Sequence, residues 1–108
     1  LVRQATLLWL MDQGFSRNAI AVEKEFSLHG LARRFDIVVF DKDINPYILV
    51  ECKAPEIAIS QSTFDQISAY QWAIKAPFLL VTNGRNSFIA QQDKMLQRFS
   101  FFTEVPKW

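Results

Sequence analysis

Several residue types are scarce in this sequence of 108 residues, and each scarcity excludes a class of protein. The single cysteine, Cys52, cannot form a disulfide within the chain, which suits a reducing compartment. No apolar run approaches the roughly 20 residues that span a bilayer, and the N-terminus lacks the basic-then-apolar pattern of a secretion signal. The formal net charge is only +1, although a local basic patch can still bind nucleic acid. We therefore expect a soluble, cytoplasmic protein without membrane contacts.

Apolar residues, in contrast, are abundant. They make up 50% of the sequence and include ten phenylalanines and three tryptophans. This content is sufficient for a packed core and argues against disorder over most of the length. The length predicts one domain over residues 1–108. The first residues enter a helical pattern without a capping residue or an initiating methionine, as expected of a fragment of a longer chain.

Hydrophobic spacing predicts the secondary-structure elements. Apolar residues at helical spacing predict a helix over about 2–13, and a second helix is predicted from about Thr63 to Lys75, before Pro77. Alternating or continuous apolar runs predict strands over 20–28, 35–40, 47–53, 78–82 and 87–91, although the glutamates and lysine within 20–28 leave a helix possible there. No clear pattern assigns the Phe-rich residues 93–108.

The order of these elements, α-β-β-β-α-β-β, predicts an α/β fold with a mixed central sheet flanked by helices. The first three strands are close enough in sequence to form an antiparallel meander. The second helix allows a crossover connection, so the strand that follows it can lie parallel to its neighbour. The continuous apolar run over 78–82 predicts that this strand is buried on both faces.

Charged residues stand on two neighbouring predicted strands that are otherwise apolar. If Phe40 faces Tyr47 across the hairpin, the antiparallel register places Asp36 opposite Glu51. Residues that face each other in this way point to the same side of the sheet, with Cβ atoms about 5 Å apart. Lys53 lies two residues beyond Glu51 and therefore shares that face. The hairpin is thus predicted to gather two carboxylates and an amine.

This group has a chemical and a structural interpretation. Facing carboxylates destabilise a strand pair, and a divalent cation relieves them because it prefers oxygen ligands. Bound Mg²⁺ can lower the pKa of a water, and a nearby lysine can stabilise a transition state, which together suit phosphodiester hydrolysis. In the structural interpretation, Glu51 and Lys53 form an exposed ion pair worth under about 1 kcal/mol. Spacing alone weighs the two about equally, and the rarity of charges inside strands favours the chemical one.

Several short motifs also occur in the order that one nuclease family shows. They are RRFDIVVFD (33–41), ILVECKAP (48–55), QISAY (66–70), APF (76–78) and LVTNG (80–84), with Val2-Arg3-Gln4 and Val22-Glu23 upstream. Together they resemble the N-terminal nuclease domain of type I restriction-enzyme R subunits, within the PD-(D/E)XK superfamily. The resemblance extends to about Phe88. It implies the restriction-endonuclease-like fold and a metal-dependent endonuclease that hydrolyses DNA with Mg²⁺ or Mn²⁺.

The resemblance implies a role for each matching residue in the metal site. Asp36 and Glu51 would be metal ligands, and the backbone carbonyl of Cys52 would complete the protein's share of the coordination. Glu23 would be an outer or second-metal ligand, although only the resemblance distinguishes it from the nearby Glu25. Lys53 would position or activate the attacking water. The Cys52 thiol faces away from Glu51 and is predicted to be buried and inert.

The remaining candidates concern DNA. By the resemblance, Gln66 and Tyr70 would act in DNA handling and cleavage. Without it, a capping-box glutamine and a core-edge tyrosine one helical turn apart are the better interpretation. Arg33 and Arg34 precede the acidic strand and could contact phosphates, although paired arginines on a turn are more often simply solvated.

Two departures from the family leave the wider function open. Phe35 stands where the superfamily pattern has a proline, and these 108 residues contain no helicase motor, which R subunits carry. One hypothesis is an active DNA endonuclease, with a helicase motor, other restriction-complex subunits or a second copy of the chain as partners. The alternative is a non-catalytic nucleic-acid-binding or assembly module that retains the nuclease fold. RNA or branched DNA would require the same metal chemistry, so the sequence leaves those substrates open.

Overall fold

The computed structural model describes residues 2–28, 30–60, 62, 65–66, 74–93 and 98–102. Its elements are a helix, a short 3-10 helix and a set of strands. In chain order they are α1 (Val2–Asp12), the 3-10 helix (Arg17–Ala19), β1 (Ile20–Leu28), β2 (Leu31–Phe40), β3 (Pro46–Cys52), β4 (Phe78–Thr82), β5 (Ser87–Asp93) and β6 (Arg98–Phe102). In the described part of the chain, no helix has the length and apolar character needed to cross a membrane.

The strands form one mixed sheet of six strands in the order β1-β2-β3-β4-β5-β6. Strands β1, β2 and β3 are antiparallel neighbours, β3 and β4 are parallel, and β4, β5 and β6 are again antiparallel. The predicted meander and the predicted change to a parallel neighbour are therefore confirmed. Strand β6 was not predicted, because its residues belong to the Phe-rich tail, which the sequence pattern left unassigned.

The connection between β3 and β4 is described in part. Ser62, Asp65, Gln66 and Ile74 have helical backbone conformation, in agreement with the helix predicted there. The intervening residues 63–64 and 67–73 lie outside the described part of the chain.

Helix α1 ends where the sequence predicts. Gly14 adopts a φ of 103°, a conformation that a side chain would disfavour. This conformation lets the chain reverse, and the Phe15 amide donates to the Leu10 carbonyl at 3.2 Å. The Phe15 and Leu10 side chains are both buried in the core. The helix end therefore fixes how α1 lies on the sheet.

The core has two layers, one on each face of the sheet. The layer beneath α1 contains Leu10, Phe15, Ile37, Val39, Ile48, Val50, Phe78, Leu80 and Ile89. The opposite layer contains Phe35, Val38, Leu49, Ala76, Leu79, Val81 and Ala90. Every residue of β4 is buried, which confirms the predicted burial of that strand on both faces.

The hairpin between β2 and β3 differs in one detail from the prediction. Phe40 pairs with Pro46 rather than with Tyr47, because the register shifts between Val39 and Phe40. The Asp41 carboxylate closes the turn by accepting the amides of Asp43 and Asn45 at 2.9 and 3.0 Å. The shift is confined to the turn.

Beyond the shift, Val39 pairs with Ile48 and Ile37 pairs with Val50. This is the register obtained by counting from the sequence.

Strand β2 begins at Leu31, four residues earlier than its predicted start at Phe35. The tight β1–β2 hairpin pairs Leu28 with Leu31 and continues through Phe26 with Arg33. Because Arg33 and Arg34 are polar, the apolar pattern did not reveal this part of β2, which is a strand through its pairing with β1. Arg33 and Arg34 consequently lie within a strand and not on a preceding turn.

Candidate functional site

Asp36 lies where the regular pairing of β2 with β3 stops. The last regular pair is Ile37 with Val50, and one residue further the Asp36 carboxylate accepts the backbone amide of Cys52. The Oδ2–N distance is 2.7 Å. The Asp36 side chain therefore accepts the hydrogen bond that a backbone carbonyl of β2 would otherwise accept. This hydrogen bond fixes the carboxylate at the end of β3.

The edge strand β1 is irregular at the same level. Val22 pairs with Ile37 and Lys24 pairs with Phe35, and the residue between them, Glu23, has a φ of 52°. Positive φ is costly for a residue with a side chain, and such strain is concentrated at functional sites. The sheet is thus locally distorted beside Asp36.

Lys53 is positioned by β4. Its backbone amide donates to the Thr82 carbonyl at 2.7 Å, which extends the parallel pairing by one residue beyond the end of β3. The residue is half-buried. Because β4 fixes the backbone of Lys53, the side chain extends from a defined position just beyond the C-terminal end of β3.

Asp36, Cys52 and Lys53 line one cavity of about 550 Å³. The rest of the lining comes from the first two turns of α1 (Val2, Arg3, Gln4, Leu7) and from Ala54 and Pro55, which follow β3. This volume lies within the usual range for small-ligand sites, roughly 300–1,000 Å³. Asp36, with a carboxylate, and Lys53, with an amine, therefore line the same cavity.

Glu51 contacts this group from a buried position. It is 6% exposed and is not part of the cavity lining, and its carboxyl lies close enough to the Asp36 carboxyl for the two to interact. Burial raises the pKa of Glu51, and the contact with Asp36 raises it further, whereas Arg33 acts in the opposite direction. The two predicted acids therefore meet, as the register requires.

Arg33 is the counter-ion of Glu51. Its Nη2 forms an ion pair with Oε2 of Glu51, and its Nη1 donates to the Arg34 carbonyl at 2.7 Å. Its guanidinium carbon also lies 4.9 Å from the centre of the Phe35 ring. The ion pair that Glu51 makes is therefore with Arg33, and not with Lys53 as the structural interpretation assumed.

The Cys52 thiol is half-buried, and its Sγ lies 3.9 Å from Oγ1 of Thr6 on α1. Burial raises the pKa of this thiol to about 11, and the carboxylates of Asp36 and Glu51 add to the effect. A thiol that stays protonated at neutral pH is a poor nucleophile. The structure agrees with an inert Cys52.

The donors at this site suit a hard divalent cation. Mg²⁺ is often held by one or two carboxylates and completes its shell with waters and substrate phosphates. Asp36 and Glu51 supply two carboxylates whose mutual contact a cation would relieve. Among the described residues no group of three or more acidic, histidine or cysteine side chains is arranged so that it could hold a metal ion. The chemistry of the donors thus fits an open Mg²⁺ or Mn²⁺ site better than a closed one.

Comparison with known proteins assigns the family. The family model for the type I restriction enzyme R protein N terminus matches residues 1–106. The chain belongs to this family. It is also similar to a fragment structure assigned to an HsdR subunit of a type I restriction enzyme from Vibrio vulnificus YJ016, with a TM-score of 0.66 and 20% identity. The match covers 94% of this chain and 22% of that one. No curated protein sequence matches significantly.

At 20% identity the likeness to the Vibrio protein supports the fold alone, and the chain spans about a fifth of that structure's length. The confirmed resemblance is therefore to the N-terminal domain of an R subunit. The roles of individual site residues in this R-protein domain stay predictions.

The other predicted site residues of this R-protein domain are more dispersed. Glu23 forms an exposed ion pair with Arg3 at 3.1 Å, so it reaches the cavity only through a residue of the lining. Arg34 is exposed on β2, and Gln66 is exposed in helical conformation. Tyr70 lies outside the described residues. The structure thus brings Asp36, Glu51 and Lys53 together.

Sequence reasoning missed two contributors. Arg3 lines the cavity beside Asp36 and Lys53, yet Val2-Arg3-Gln4 counted only as part of the resemblance. Asn83, which is 3% exposed, holds the segment that follows Lys53. Arg3 and Asn83 both belong to motifs that the sequence analysis named, but no role was assigned to either residue.

Asn83 acts through its whole side chain. Its Nδ2 donates to the Ile57 carbonyl at 2.8 Å, and its Oδ1 accepts the amides of Arg85 and Asn86 at 2.8 and 2.7 Å. One amide group therefore joins the β4–β5 turn to the segment beyond β3. This link supports the rim of the cavity formed by Ala54 and Pro55.

Proposed function

We propose that this R-protein N-terminal domain is a metal-dependent endonuclease module of the PD-(D/E)XK type that hydrolyses DNA phosphodiester bonds. The observation that supports it most directly is the contact between the Asp36 and Glu51 carboxyls beside a cavity that Lys53 lines. A buried carboxylate next to a second one is unfavourable without a cation. The family assignment supports the same reaction class.

Each residue has a separate task in this proposal. Asp36 and Glu51 would hold Mg²⁺ or Mn²⁺, which when bound supplies charge stabilisation at a phosphoryl oxygen and a water of lowered pKa. The Lys53 ammonium would donate hydrogen bonds within the cavity to the attacking water or to a phosphate oxygen. The Arg3 guanidinium at the rim would attract the phosphate backbone. The Cys52 amide keeps Asp36 oriented through its 2.7 Å hydrogen bond.

The test is nicking of supercoiled plasmid DNA in Mg²⁺ or Mn²⁺. We expect the parent to cut and Asp36→Ala and Lys53→Ala to lose at least about 100-fold in rate, as for other electrostatic contributions to a transition state. Lys42→Ala is the matched control, because Lys42 is an exposed turn residue. Equal cutting by Lys53→Ala and the control would refute the assigned mechanism.

A second candidate is a non-catalytic nucleic-acid-binding or assembly module. The observation that favours it is that the Glu51 carboxylate already has a protein counter-ion, Arg33. This candidate predicts DNA affinity without cleavage, with a binding constant that falls steeply as salt increases. Calorimetric titration with Mn²⁺ separates the two, since only the nuclease requires a metal at the carboxylates.

The partners follow from the same proposal. DNA is the proposed substrate, with Arg34, Gln66 and Tyr70 as further candidate contacts. Because the chain spans 22% of the Vibrio structure, we propose that it works beside further domains or subunits, such as a helicase motor. A homodimer is a second arrangement that would allow both DNA strands to be cut, and sedimentation with and without DNA tests it.

A further inference from the structure

Arg33 is held in place more firmly than a surface arginine. One guanidinium nitrogen forms the ion pair with Glu51, a second donates to the Arg34 carbonyl at 2.7 Å, and the group lies over the Phe35 ring. The side chain is only 26% exposed, and that of Glu51 is 8% exposed. Arginine suits this setting because its planar fork makes several directed contacts at once.

The same carboxylate is one of the two that the proposed metal site needs. Removing one partner of a buried ion pair leaves an uncompensated charge, so a cation beside Glu51 stabilises its ionised form. In the structure that cation is Arg33. A divalent ion placed between Asp36 and Glu51 would stand close to the guanidinium, and two positive charges at short range in a poorly solvated site repel each other.

Glu51 does not depend on Arg33 for its position. Its Cα is paired with Val81 in the parallel ladder between β3 and β4, and both residues are buried. The strand therefore fixes the backbone of Glu51 independently of the guanidinium. Arg33 contributes charge to this site, whereas the sheet contributes geometry.

We propose that Arg33 is an internal counter-cation that competes with the metal for Glu51, so that the metal site fills only when Arg33 gives up this carboxylate. The inference rests on the proposed function, because it concerns the same site. The sequence-based prediction that Arg33 could contact DNA phosphates is a separate role, which this inference does not use. Competition of this kind raises the metal concentration that the domain needs.

The experiment is calorimetric titration of the chain with Mn²⁺ and with Mg²⁺ in the absence of DNA. Arg33→Met removes the charge and keeps a side chain of similar length. We expect its Kd for metal to be at least about tenfold lower than that of the parent. A tenfold change in Kd corresponds to about 1.4 kcal/mol of binding free energy. Arg34→Met, on the exposed neighbour in β2, is the matched control and should stay within about twofold.

A second variant covers the case in which Arg33→Met does not fold without metal. Arg33→Lys keeps the charge but replaces the two guanidinium nitrogens, which contact Glu51 and the Arg34 carbonyl separately, by a single ammonium nitrogen that cannot reproduce this geometry. We expect it to fold and to bind metal more tightly than the parent, by less than any folded Arg33→Met. Circular dichroism checks folding for each variant.

The outcomes separate this inference from the proposed function. Metal binding by the parent with no gain in Arg33→Lys or in folded Arg33→Met overturns the competition and leaves the nuclease proposal intact. Absence of metal binding in the parent and in all variants, at millimolar metal, overturns the metal site itself and both proposals with it.

Discussion

Replacing Asn83 by alanine tests how the rim of the cavity is held. The side chain is buried and makes three hydrogen bonds, two accepted from the amides of Arg85 and Asn86 and one donated to the Ile57 carbonyl. Each such bond contributes roughly 0.5–1.5 kcal/mol net. Because water can reach the exposed turn residues in the variant, we expect a loss of about 2–4 kcal/mol in the free energy of unfolding.

The assay is equilibrium unfolding in urea. With a slope of roughly 1–1.5 kcal/mol per molar urea for a domain of this size, the midpoint should fall by about 2 M. Asn86→Ala is the control, because the Asn86 side chain is exposed, and it should change stability by less than about 0.5 kcal/mol.

Asn83→Asp refines the test. An aspartate keeps both accepted hydrogen bonds but cannot donate to the Ile57 carbonyl, which then faces a carboxylate oxygen. We therefore expect the β4–β5 turn to survive and the segment beyond Lys53 to be released, with a stability between those of the parent and of Asn83→Ala. A stability of Asn83→Ala within about 0.5 kcal/mol of the parent would contradict the assigned role of the amide.

Two further predictions concern the core and the thiol. Leu10→Ala should destabilise the domain by about 2–5 kcal/mol in the same urea assay, because Leu10 is fully buried, and Leu8→Ala, at a residue 63% exposed on the same helix, should have little effect. Equal losses in the two variants would mean that α1 packs through a different face. Cys52 should react slowly with a thiol reagent at pH 8 and faster as the pH approaches its pKa of about 11, since only the thiolate reacts. Rapid labelling of the folded protein at pH 8 would contradict the burial of the thiol.

The sequence predicted much of the fold, because the positions of its helix and strands follow from the local spacing of apolar residues. The helix before Gly14, the meander and the buried run of β4 each follow from the spacing of apolar residues. The register that brings Asp36 to Glu51 also followed from counting, because the irregularity near Phe40 is confined to the turn. Strand β6 was not predicted because its alternation, from Arg98 to Phe101, spans only four residues before Phe102 interrupts it.

The site itself shows where local patterns stop being informative. Periodicity placed Glu51 and Lys53 on one strand face, but it could not tell which cation would neutralise the carboxylate. Arg33 takes that role from 18 positions away, on a different strand. Its signal was weak, since two adjacent arginines are usually solvated.

By itself the sequence predicted the order of the strands up to β5 and the register between β2 and β3, and it supplied the residues proposed for metal chemistry, because each of these depends on neighbours along the chain or on residue type. Only the tertiary structure decided that α1 covers the cavity with Arg3, that Asn83 holds its rim and that Arg33 compensates Glu51. These contacts join residues that are distant in sequence. Their formation depends on sheet twist, burial and side-chain direction, which no local pattern records.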